Sequence, residues 1–327
     1  MIPHSRDPLG VERLYLREDG TKARTVRALV QPGSTLDRDG VRWAWGHGGD
    51  ATRSCIRGIR RAVRGTSLAP TPADGELRSL LEHAIARVLS GPGRVALCLS
   101  GGLDSAWVLA CALELGARPS VYILSSRLGD TYDETAAALQ VAAALGVQPI
   151  VVHATARDFV DALPSAIRHA ETCLYNLHPV SKLLLARRLA EDGISVALTG
   201  DGADEVFALR NDDDYLPIAA ALTESAGVSL ASPFFDPAVI AYAQSRTPDP
   251  GKKELRAVAS SRLPRAVIET PKRPRFAPPI DVSTHLDETR AARLAQAMDV
   301  PLRFTTDAER VGWTTLSLLC DMLELDV

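Results

Sequence analysis

The stretch that most constrains the fold is Arg94–Gly116, RVALCLSGGLDSAWVLACALELG. Val95–Leu99 is a short apolar run of the length a buried parallel strand needs. Ser100-Gly101-Gly102 turns the chain, and from Asp104 onward the apolar residues Val108, Leu109 and Leu113 read as a helix. A strand, a glycine turn and a helix N-terminus in succession make an anion site. Several N–H groups lack intrahelical partners there, and the helix dipole adds partial positive charge. Adjacent glycines permit positive φ and let a phosphate approach the backbone. An ordinary capped βα turn shares the two glycines, but the whole run SGGLDS between strand and helix is far more specific. It is neither a GxxxxGK loop nor a GxGxxG turn.

The rest of the chain supplies an α/β frame for this loop. After it come strand Val121–Leu124, helix Asp133–Leu145, strand Pro149–Val152, helices to about Ala190 and strand Ile194–Leu198, with helix Glu76–Leu89 ahead of it. Strands separated by helical stretches predict a parallel sheet with helices on both faces. Ligands bind such sheets at the carboxyl ends of the strands, so the residues after Leu99, Leu124 (Ser125), Val152 and Leu198 should converge. Residues 1 to about 75 differ: they are polar and arginine-rich, and Val11–Leu16 and Val41–Trp45 alternate as short strands do. The linker SLAPTPADG, around Pro70, divides the chain into a small N-terminal region, 1–70, and a larger domain, 71–327.

Composition excludes several classes. A net charge of −3 over 327 residues gives no hint of a nucleic-acid surface. The cysteines 55, 98, 111, 173 and 320 are scattered, with no CxxC or Cys/His cluster, so neither a disulfide framework nor a zinc site is expected. Cys98 and Cys111 read as small core residues. MIPHSRDPLG is not a signal peptide, and no apolar run approaches ~18 residues. The expectation is a cytoplasmic protein with neither nucleic-acid nor membrane partners.

A second motif follows the strand ending at Leu198: TGDGADEVF, Thr199–Phe207. Glycines flanking carboxylates at a strand terminus suit a tight loop that offers oxygens to a hard cation. The two motifs together resemble a known family. SGGLDS resembles the pyrophosphate loop of the N-type ATP pyrophosphatases, and TGDGADEVF resembles the SGEGADELF motif of the asparagine synthetases. Other elements occur in the same order. Thr131–Thr135 resembles the YDES element, His169–Thr172 the E-T element, Ser232–Asp236 the PFLD element, and Gly251–Arg256 the KxxLR element. Leu263-Pro264 with Lys272 resembles the LP…RxK…F segment, and Ser54–Leu68 resembles the connector between the two halves of those enzymes. Three departures fall around the amino-acid pocket: Asp201 for the glutamate of SGEG, Ala208-Leu209 for the usual GG, and Ala231 for the Arg before PFLD.

The resemblance implies an adenine nucleotide alpha hydrolase-like fold with a helical C-terminal part. It also implies ATP and Mg2+ as cofactors. Nucleotide contacts fall to Leu99, Ser100, Gly101, Gly102, Asp104, Ser105, Ser125, Gly200 and Gly202, and metal contacts to Asp104 and Asp204. Glu171 is the candidate base with Asp201 as its alternative, and Lys252 and Lys272 are the candidate cationic groups, twenty residues apart in a chain with five lysines. Such a compact charge can follow a moving phosphoryl group. The implied reaction adenylates a small-molecule or peptide carboxylate and passes the acyl group to ammonia or an amine, in specialised metabolism. Family glutaminase domains carry a cysteine after the initiator Met; Ile2 stands here, so residues 1–70 are expected to be a remnant of that domain. A separate glutaminase or another ammonia source would then supply the nitrogen. Intramolecular cyclisation to a β-lactam or peptide macrolactam stays open. So, more distantly, do a sulfur-transferring pyrophosphatase and an inactive family member.

Overall fold

The computed structural model describes residues 5–65, 77–126, 133–208, 214–269 and 279–325. The N-terminal region opens with β1 (Tyr15–Arg17) and β2 (Lys22–Ala23), continues through helix α1 (Arg38–Ala44) and ends on β3 (Ile59–Arg61). These strands form an antiparallel sheet of order β2-β1-β3. The expected strand at Val41–Trp45 is not one. Asp37 caps a helix through its side chain, which accepts from Gly40 N–H at 3.0 Å. Helical spacing then puts Val41 and Trp45 one turn apart on one face, and Trp45 packs edge-on against Trp313 at 4.8 Å. The strand expected over Val11–Leu16 is shorter and begins at Tyr15.

The large sheet forms as the apolar runs predict. Helix α2 (Leu77–Ser90) precedes β4 (Val95–Cys98), and α3 (Leu103–Glu114), β5 (Ser120–Ser125), α4 (Thr135–Ala144) and β6 (Ile150–His153) follow. Helices α5 (Ala156–Ala170) and α6 (His178–Glu191) lead to β7 (Val196–Leu198), α7 (Ala203–Phe207), α8 (Tyr215–Glu224) and β8 (Ser229–Ala231). All four strand pairings are parallel, in the order β6-β5-β4-β7-β8. The fifth strand, β8, is a three-residue edge segment whose SLA sequence carries no run long enough to mark it in advance.

Alternation along the strands serves two layers. Leu97, Val121, Ile123 and Leu198 enter the core shared with α2, α3 and α4, whereas Ala96, Tyr122, Val152 and Ala197 face Leu185 and Leu189 of α6. The C-terminal helices are α9 (Pro237–Gln244), α10 (Lys253–Ala259), α11 (Arg265–Glu269), α12 (Glu288–Met298) and α13 (Asp307–Leu323). The expected boundary near residue 70 lies outside the described residues, and the apolar cores extend past it on both sides. Tyr15, Val26, Leu29, Val41 and Ile56 share one core with α5, α12 and α13, and Leu9 joins the core around α3. No described helix is long and apolar enough to cross a membrane.

Candidate active site

The strand order locates the site. The chain runs outward from β4 to β5 and β6, then returns to β7 and β8 on the other side of β4. The switch point therefore lies between β4 and β7, where a crevice opens beyond the carboxyl ends of the strands. The loops that flank it are Leu99–Gly102 and Thr199–Gly202.

These loops meet because a glycine allows it. A Cβ on Gly200 would lie 2.6 Å from Ser105 N and 2.8 Å from the carbonyl carbon of Asp104, both backbone atoms. That close approach brings the first turns of α3 and α7 together. Gly101, at φ +71°, packs equally tightly on the other side, where a Cβ would fall 2.6 Å from Ala138 N of α4. Gly202 caps α7 at φ +94°. Within the first loop, Ser105 Oγ accepts from Ser100 N–H at 3.1 Å and contacts Ser100 Oγ at 3.0 Å. No side chain caps α3, so its first N–H groups face the crevice as an anion cradle requires.

Three charged side chains converge there. Lys252 Nζ stands 2.6 Å from Asp104 Oδ2 and 2.8 Å from Asp204 Oδ1. Lys252 is delivered by a turn tied to α7: Asp249 N–H donates to Phe207 O at 2.7 Å and Lys252 N–H to Asp249 O at 2.9 Å. Lys252 itself adopts φ +50° and is buried. The other oxygen of Asp104, Oδ1, is buried without a hydrogen-bond partner among the described residues. A buried carboxylate oxygen left without a donor is costly unless something absent from the polypeptide occupies it. Two carboxylates, one with such an oxygen, beside an uncapped helix end fit a site that would hold a magnesium ion, because that ion takes one or two protein carboxylates and keeps waters.

Residues 76–209 match the family model described as asparagine synthase. A segment covering 40% of the chain is 30% identical, over 148 residues, to 26% of the glutamine-hydrolyzing asparagine synthetase B of Escherichia coli K12. A segment covering 35% is 31% identical to 18% of the glutamine-hydrolyzing asparagine synthetase 1 of Bacillus subtilis 168. The matched segments thus span about a quarter or less of those relatives' length. Among solved structures, NMN synthetase from Francisella tularensis superposes with a TM-score of 0.41 at 14% identity, covering 77% of this chain and 96% of that one. At that distance it adds nothing to the strand order.

The fold disperses the other candidate residues. Ser125, at the end of β5, donates to Asp133 Oδ2 at 2.9 Å, and Asp133 also takes Thr135 N–H at 2.8 Å, which delays the start of α4 to Thr135. Asp201 follows β7, but its carboxylate turns toward α6, where Oδ2 meets Lys182 Nζ at 2.6 Å. Tyr215 Oη reaches Oδ1 at 3.4 Å, and Ser232 Oγ donates to the Asp201 carbonyl at 2.7 Å. Burial works against the Lys182 ammonium, yet the adjacent Asp201 carboxylate overrides it and raises its hold on the proton. Sequence reasoning missed Lys182; its only signal is a lysine among the apolar positions of α6.

Glu171 sits apart from the Lys252 cluster. It ends α5 in the left-handed conformation, φ +54°, and its Oε2 accepts from Val26 N–H at 2.7 Å, with Arg13 at 3.8 Å. Burial raises its pKa above the usual carboxylate range, and the Val26 amide and Arg13 offset only part of that. Lys272 lies outside the described residues. The helices leading to it are anchored by Arg262, which pairs with Glu82 at 2.6 Å and stacks over Trp107 at 4.7 Å.

Proposed function

We propose that this chain is an ATP-dependent, AMP-forming amide ligase. A substrate carboxylate attacks the α-phosphorus of ATP, pyrophosphate leaves, and a nitrogen nucleophile then displaces AMP from the acyl carbon. The observation that carries this reading is the meeting of Asp104, Asp204 and Lys252 at the switch point, the two carboxylates coming from the segment, 76–209, that matches the asparagine synthase model. The first N–H groups of α3 and the end of its dipole hold the pyrophosphate portion. Asp104 and Asp204 would hold magnesium, which when bound neutralises phosphate charge. Lys252, fixed between the two carboxylates, keeps a positive charge beside the departing group without the entropy cost of a mobile side chain.

Catalysis of this kind is positioning and charge neutralisation, and it needs no covalent protein intermediate. For the proton that the attacking nitrogen gives up, Asp201 is the better placed of the two candidates. It shares the β7 loop with Asp204 and is oriented by Lys182. Glu171 has its oxygen committed to Val26 and acts by seating the N-terminal segment. Lys272 remains the second cation of the reading, acting on the acyl-adenylate.

The test is pyrophosphate release from ATP and Mg2+ across a carboxylate panel, with and without ammonium. Release that requires both a carboxylate and ammonium, with AMP as co-product, supports an ammonia-using ligase. Release with one substrate that carries its own amine, indifferent to ammonium, turns the reading to cyclisation or amine ligation. Release of ADP and phosphate in place of AMP and pyrophosphate overturns it.

A further inference from the structure

Two of the five cysteines, far apart in sequence, come together where the N-terminal region meets the turn after α5. Cys55 precedes β3 and Cys173 follows α5, and their Sγ atoms stand 3.7 Å apart across 118 residues of chain. Each is about 1% exposed. Thr172 Oγ1 touches Cys55 Sγ at 3.4 Å. The same Thr172, with Arg61, Arg6, Arg13 and Tyr15, bounds a cavity of about 10 Å³, room for one water-sized molecule. The cavity therefore ends one side chain away from Cys55.

We propose that Cys55 and Cys173 are an oxidisable dithiol, a modification site at which a hydroperoxide closes a bond between the N-terminal segment and the turn after α5. The geometry asks little. The sulfurs need to approach by only about 1.7 Å to reach disulfide length, a displacement within the range of side-chain rotation. The local chemistry is asymmetric in the required sense. The hydrogen bond from Cys173 draws the Cys55 thiol down to about 7 against the effect of burial, whereas burial holds the Cys173 thiol well up. Cys55 is thus the thiolate that reacts first and Cys173 the thiol that resolves.

The Cys55 thiolate attacks the O–O bond. An S–O bond forms, the O–O bond breaks, and the released oxygen leaves as water or an alcohol after taking a proton. Cys173 then attacks the sulfenic sulfur. The S–S bond forms, the S–O bond breaks, and a second water departs with the Cys173 proton. Two thiols lose two electrons and the peroxide gains them. The product ties the turn 171–173, where Glu171 already accepts from Val26 N–H, to the segment just before β3. This inference is independent of the proposed ligase activity.

The experiment treats the native, reduced protein with hydrogen peroxide, blocks remaining thiols before denaturation, and reads intact mass and the peptide map. The expected result is loss of two of the five thiols, a mass lower by two hydrogens, a Cys55–Cys173 linked peptide, and reversal by dithiothreitol. In Cys173→Ser the intermediate is left unresolved, so a dimedone adduct appears on Cys55. Retention of all five thiols, linkage of a different pair, or sulfenic acid confined to other cysteines overturns the proposal. Should Cys173→Ser fail to fold, the wild-type peptide map decides alone.

Discussion

Lys252→Met removes the only ammonium that stands between Asp104 and Asp204 among the described residues. In the wild type, two carboxylates lie 2.6 and 2.8 Å from one Nζ, and the Lys252 and Asp204 side chains are 7% and 10% exposed. With methionine there, the carboxylates face each other across an apolar side chain. Removing one partner of a buried ion pair costs about 3–5 kcal/mol, because the residual charge stays desolvated. Asp104, 22% exposed, recovers some solvation, so the lower end, about 3 kcal/mol, is the expectation. For a chain of 327 residues that lowers the thermal midpoint by roughly 4 °C. Scanning calorimetry reads the loss, and magnesium supplies the internal control. Saturating a cation site at about 100 times its Kd returns about 2.7 kcal/mol, so millimolar MgCl2 should recover most of the midpoint in Lys252→Met. A midpoint within about 1 °C of wild type refutes the buried-charge argument. A full loss that magnesium leaves untouched refutes the two carboxylates as a cation site.

Gly200→Ala drives a Cβ into the Asp104–Ser105 backbone; we expect about 2 kcal/mol or more of destabilisation and weaker ATP binding by calorimetry, whereas Gly20→Ser, at an open surface turn, should leave ATP binding unchanged. Lys182→Met strands the Asp201 carboxylate against α6 at a cost of about 2 kcal/mol, and adding Asp201→Asn should restore most of it, a coupling that a double-mutant denaturation cycle measures. Glu171→Gln tests the pKa raised by burial. A carboxyl with a raised folded pKa contributes stability below its unfolded pKa and loses it as pH rises through the folded one. The variant should therefore gain on wild type as pH climbs from the usual glutamate range to the raised value and then hold level; urea midpoints that run parallel across this window contradict the assignment.

Much of the fold was legible because the strands β4, β5, β6 and β7 are short apolar runs separated by helical stretches, the signal of buried parallel strands. The edge strand β8 was not, since three residues carry no periodicity. Val41–Trp45 misled for a physical reason: alternating Val, Trp and Trp fit a strand, but Asp37 supplies a helix cap and Trp313 a partner that only a helix satisfies. At the site, SGGLDS and TGDGADEVF pointed to the two loops that the topology brings together. The ammonium between their carboxylates was not legible as such, because the turn at Asp249 that delivers Lys252 depends on contact with Phe207, more than forty residues earlier. The Lys182–Asp201 pair and the Cys55–Cys173 contact stayed hidden for the same reason, joining residues 19 and 118 positions apart.

The central claim is that the crevice between β4 and β7 cleaves ATP between its α- and β-phosphates. Chromatographic identification of the nucleotide product, made with the wild type and with Asp104→Asn on the substrate that supports turnover, tests it directly. The account predicts AMP and pyrophosphate in equal amounts from the wild type and a loss of at least about a hundredfold in Asp104→Asn, as expected when a group that neutralises transition-state charge is removed. ADP as the product, or undiminished AMP formation by Asp104→Asn, would contradict it.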